Sequence, residues 1–111
     1  LRGDGSWGPP ALNYEVSRID DTDSPYDATD DNVVIVDASA NAVTVDLPEI
    51  TPALDGKVVI VKARDATNTI TINAGGSDTI DGGTSLTLTA TYESWTMVAS
   101  YDAGGSFWSI V

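Results

Sequence analysis

VVIVKARDATNTITIN, residues 58–73, decides the fold. Successive side chains of a strand point to opposite faces, so Val58, Val59, Ile60 and Val61 cannot all lie on one side. A strand that is apolar on both faces needs cover on both. The polar stretch from Arg64 to Asn68 follows, and then Ile70 and Ile72 alternate with Thr69 and Thr71 as a one-sided strand. An earlier stretch, VVIVDASANAVTVD at 33–46, repeats the plan, with Val43 and Val45 alternating with Thr44 and Asp46. The pattern predicts two similar hairpins, each a two-sided strand, a D-A-[ST] turn and a one-sided strand, with weak internal repetition.

Working outward, alternation and turn residues predict strands near 33–37, 43–47, 57–63, 69–73, 85–91, 94–100 and 106–111. Pro48 closes the second, because proline cannot donate to a ladder. Gly75-Gly76 and Asp81-Gly82-Gly83 bracket a short Thr79-Ile80 piece, and Tyr101 to Gly105 make a tight final turn. Nothing repeats at helical spacing. The closing SFWSIV is again double-faced, Phe107 opposing Trp108 and Ile110.

A chain of 111 residues holds one domain. A domain of this size buries only about 60% of its unfolded surface, too little to cover three double-faced strands. The economical solution is that copies of the chain cover one another. The expected fold is therefore all-β, a small antiparallel sandwich or jelly-roll-like module over 32–111. The expected assembly is a homotrimer meeting through Val34, Val36, Val59, Val61, Phe107, Trp108 and Ile110.

Residues 1–31 read differently. Gly3, Gly5, Gly8, Pro9, Pro10 and Pro25 punctuate them, and Asp20, Asp21, Asp23, Asp27, Asp30 and Asp31 crowd the second half. Such a segment buries little of its own surface against its ordering entropy. It is expected to be an extended arm that takes its order from a neighbouring molecule, with Trp7, Leu12, Tyr14 and Ile19 as anchors. Residues 13–19 would suit a strand added to a partner's sheet edge.

Composition narrows the chemistry. Seventeen acids against five bases give a net charge of −12, which repels phosphate backbones and anionic lipid, so neither nucleic acid nor membrane is an expected partner. The acidity fits a solubilised surface, and a high-salt habitat is the other reading. Cysteine and histidine are absent, which removes disulfides, thiolate metal sites and the usual general base. No apolar run approaches the ~20 residues of a membrane span, and Leu1 to Pro10 contain no signal-peptide core.

Candidate sites are few. DDTDSPYDATDD (20–31) lacks the glycine and closing glutamate of an EF-hand loop and reads as solvated carboxylates. GGSDTIDGG (75–83) is a turn pair rather than a calcium repeat, and Arg2-Gly3-Asp4 is a chance tripeptide in a glycine-rich terminus. No cofactor, metal or catalytic residue is expected. Tyr92, Trp95 and Tyr101 are aromatic candidates for stacking on a glycan, against the alternative of core or interface anchors.

Three stretches resemble a known family in their order and spacing. They are DNVVIVDASANAVTVDLPE (31–49), GKVVIVKARDATNTITINAGGSDTIDGG (56–83) and LTLTATYESWTMVAS to GGSFWSIV (86–111). Together they resemble a small β-module recurring in structural proteins of tailed phages: tail fibres, head fibres and related virion appendages. The resemblance spans 31–111 and finds no counterpart in 1–30. The chain departs from it with Trp95 after Y-E-S, where a small aliphatic is usual, and with a longer, tyrosine-containing last turn. The resemblance implies a non-enzymatic structural role on the virion surface, as capsid decoration or fibre knob, and a trimeric β-assembly. A carbohydrate-binding host-attachment tip is the alternative. The arm would then join a larger capsid or tail lattice.

Overall fold

Asp37 ends the first VVIV run by bending the chain out of its sheet. Its carboxylate accepts the N–H of Ser39 at 3.0 Å, an Asx turn that mimics a backbone turn. Val43 and Val45 therefore do not pair with the strand they follow; they join a second sheet and face the first across the core. A computed structural model describes residues 14–111 and shows this arrangement throughout.

The strands are β1 (Val16–Asp20), β2 (Tyr26–Asp27), β3 (Val33–Asp37), β4 (Val43–Asp46), β5 (Val58–Asp65), β6 (Ile70–Asn73), β7 (Thr79–Ile80), β8 (Ser85–Leu88), β9 (Ser94–Ser100) and β10 (Phe107–Ile110). They form a six-stranded sheet, ordered β1-β3-β5-β9-β10-β7, and a four-stranded sheet, ordered β2-β4-β6-β8. The fold is all-β with two mixed sheets. Two three-residue 3-10 turns, Asp21–Asp23 and Pro52–Leu54, are the only helical pieces among the described residues.

The expected hairpins and antiparallel layout are corrected by the pairing. β1, β3 and β5 run parallel, and so do β2, β4 and β6. The chain climbs in three coils, β1–β2, β3–β4 and β5–β6, each laying one strand in each sheet. Antiparallel pairing begins only afterwards, where β8 returns along β6, β9 along β5 and β10 along β9. β7 closes the far edge, parallel to β10.

Each coil turns at the same kind of corner. Asp20 stands opposite Asp37, and Asp37 opposite Asp65. Each carboxylate accepts the backbone N–H two residues on, from Thr22 at 2.9 Å, Ser39 at 3.0 Å and Thr67 at 2.8 Å. The corners are also tied to one another: Asn41 donates to the Asp21 carboxylate at 2.8 Å, and Asn68 to the Ala38 carbonyl at 2.9 Å.

This corrects the arm as well. Its first thirteen residues, including the anchors Trp7 and Leu12, lie outside the described residues. From Val16 to Asp27, however, the chain is the first coil of the module, and Ile19 is buried in the core. Tyr14, just before β1, is exposed. V-S-R-I-D-D-T at 16–22 is thus a third copy of V-V-I-V-D-A-S, disguised by Ser17, Arg18 and Asp21 where apolar residues stand in the second coil.

Between the sheets, Val34, Val36, Val59, Val61, Met97 and Trp108 meet Val43, Val45, Ile70, Ile72 and Leu88, all fully buried. The link from Gly75 to Ile80 is part of this packing: Ile80 enters the core, and the buried Asp78 carboxylate accepts the Ile50 N–H at 2.7 Å. At Gly75 the backbone lies so close to 47–49 that a Cβ would stand 2.7 Å from the Glu49 nitrogen and 2.8 Å from the Leu47 carbonyl oxygen.

Candidate interaction surfaces

Sheet geometry divides each VVIV run into two sets. Val34, Val36, Val59, Val61 and Trp108, expected at an oligomer interface, have no solvent exposure within the single chain. They are corrected to protomer core, because the second sheet supplies the cover that was assigned to another copy. Phe107, 38% exposed, points to the opposite side of β10. Ile110 is half-buried and packs against the core edge.

The other set forms the outer face of the six-stranded sheet. Val33 lies beside Ile60, and Val58 beside Val98. Ile35 and Phe107 share that face, and Val16 on β1 extends it at 41% exposure. The same face collects cations. Arg18 and Lys62 flank Ile35 in one cross-strand row, and Arg64 follows Lys62 two residues along β5. Asp20, Asp37 and Asp65 form the next row. Lys62 donates to the Tyr92 carbonyl at 2.9 Å, with its ammonium 5.8 Å from the ring centroid. The Asp37 carboxyl is held below the usual carboxylate range by hydrogen bonds from the Ser39 hydroxyl and backbone, assisted by Arg64.

The outer face of the four-stranded sheet is polar. Thr44, Thr71 and Thr87 form one row across it. Asp27, Asp46, Asn73 and Ser85 form another, in which Asn73 donates to the Asp46 carboxylate at 3.2 Å.

The three aromatic candidates are not brought together. Tyr92 precedes β9 and Tyr101 follows it, so a strand of seven residues separates them, a distance on the order of 25 Å. Tyr92 is 70% exposed at a left-handed φ of 71°. Trp95 stands opposite Val61 on the inner side, half-buried at the core edge, its indole N–H donating to the Thr87 carbonyl at 3.0 Å.

One polar cluster was not visible in the sequence. Asp31 is buried and accepts from the Ser17 hydroxyl at 2.5 Å and the Tyr26 hydroxyl at 2.6 Å, joining β1 to β2 at the link that leads into β3. The hydrogen bond to Asp31 raises the Tyr26 hydroxyl above the usual tyrosine range, against an opposing pull from Ser17. Asp31 lay in a run of carboxylates expected to be solvated, and nothing in that run marks it as different. Among the described residues there is no cavity and no group of three metal-ligating side chains.

Compared with protein-family models and with curated protein sequences, the chain matches none.

Proposed function

We propose that this chain is a non-enzymatic structural component of a tailed-virus particle, displayed on its surface as an oligomeric β-module in the manner of a capsid decoration protein or fibre knob. The observation that carries the reading is the coincidence of motif and architecture. D-A-S and D-A-T-N, two of the beats that resemble phage appendage modules, are the corner turns that fasten one coil to the next. Motifs that fasten coils rather than carry chemistry suit a part whose task is shape and display. An apolar sheet face on a molecule of net charge −12 suits a part that is built into something larger.

On this reading residues 1–13, with Trp7 and Leu12, dock the module on a capsid or tail lattice, and the coils project outward. Removing residues 1–13 leaves a folded module that no longer loads onto particles, as read by electron microscopy and by co-sedimentation with particles. Normal loading of the shortened chain would overturn the docking role; absence of the full chain from every particle preparation would overturn the viral reading.

Tyr92 favours a second reading, a glycan-binding tip, because it is the most exposed aromatic ring described and sits over a lysine. Binding on a glycan array that disappears in Tyr92→Ala would select it.

A further inference from the structure

The two outer faces of the sandwich have the same backbone geometry and opposite chemistry. On the smaller sheet, rows of threonine, aspartate and asparagine meet water. On the larger sheet the equivalent positions are Val33, Ile35, Val58, Ile60, Val98 and Phe107. Among the described residues none of the first five packs against the core, and each is half-buried. Val33, Val58, Ile60 and Val98 stand beside apolar or small cross-strand partners, and Ile35 between Arg18 and Lys62. A contiguous apolar patch of this kind on a chain so rich in carboxylates marks a contact surface.

Charge says what the contact is with. Residues 14–111 hold sixteen acids and four bases. Arg18, Lys62 and Arg64 with Asp20, Asp37 and Asp65 give the outer face a balance of zero. The remaining one base and thirteen acids give every other surface together −12. Two copies that met through the four-stranded sheet would bring the Asp27 and Asp46 carboxylates of each together with no base among them. Through the outer face of the six-stranded sheet they meet where charge cancels, with a basic row and an acidic row two residues apart available to interlock.

We propose that the outer face of the six-stranded sheet is a self-association surface and that its occupant is a second copy of this chain. The proposal deepens the oligomeric part of the function above, moving the contact from the buried valines to their outward neighbours; it does not depend on the viral part. Five strands about 4.8 Å apart and four to five residues of about 3.3 Å give a footprint on the order of 400 Å² per copy. That is about half of a standard interface side, a size at which contacts are weak and reversible. Because the copies repel elsewhere, salt strengthens the contact by screening that repulsion.

Sedimentation equilibrium of the full chain tests this. The mass is expected to rise above 11.6 kDa with concentration, and to do so more readily in about 0.5 M than in about 0.05 M salt. The double variant Ile35→Glu, Ile60→Glu should remain monomeric. Thr96→Glu with Ser109→Glu, two small polar positions on the same face, should do likewise without touching an apolar residue, and it decides the matter if the first variant fails to fold. Thr71→Glu, on the other sheet, should associate as the unaltered chain does. A monomer up to about 100 µM at both salts, association that weakens with salt, or association that survives Thr96→Glu with Ser109→Glu would each overturn the proposal. Particle loading is read separately, so self-association and the viral role can fail independently.

Discussion

Gly75 shows how tightly one residue can be constrained without chemistry. It lies against the backbone of 47–49, where the nearest atoms to an added Cβ are main-chain nitrogen and carbonyl oxygen, which cannot swing aside. Gly75→Ala is expected to destabilise the fold by about 1–3 kcal/mol, the usual range for overpacking, seen as a lower urea midpoint at unchanged slope. Asp37 makes the opposite kind of contribution, through its charge. Its carboxyl titrates below the usual range in the folded chain because Ser39 donates to the ionised form. The stability it contributes is complete above the unfolded-state pKa and disappears as pH falls through the lower folded value. Acid unfolding of Asp37→Ala should therefore depend less steeply on pH than that of the unaltered chain, as measured by circular dichroism across that acidic window.

At the scale of the element, sequence made strand and turn plain but left pairing and facing open. A VVIV run announces a strand with two apolar sides. Period-two alternation then separates Val34 and Val36 from Val33 and Ile35 but does not tell which pair is inside. Alternation alone therefore leaves open that Val34 and Val36 are core of the single chain, as they are. Pairing was missed for a related reason: an Asp-Ala-Ser turn reads alike whether the chain folds back in its own sheet or crosses to another. The Asn68 bond to Ala38, thirty residues away, is what separates the two, and such a bond has no local signature. The first coil was hidden because Ser17 and Arg18 break the valine run, although Ile19 and the Asp20 corner keep the pattern. That coil is structural. Removing residues 1–31, which takes Ile19 and Ala28 out of the core and uncovers the edges of β3 and β4, is expected to abolish cooperative thermal unfolding, whereas removing 1–13 should leave it.

The whole molecule combines an apolar interior, a polar face of threonines, and a second face that is apolar and nearly neutral. The acidity legible in composition describes every side but one. Composition averages over surfaces, so the gathering of three of the four described bases on a single face emerged only from the register of β1, β3 and β5. Two of the motifs behind the proposed likeness to phage appendage modules, D-A-S and D-A-T-N, record how coils stack and are silent on what the faces touch.

The ladder of aspartate corners has one more consequence. Residue 16 stands directly over residue 33, so each climb repeats a plan whose joints fit the storey below as well as the storey above. Such a design is modular in height: duplicating residues 16–32 should lift the protein by about 4.8 Å and leave the capping strands untouched.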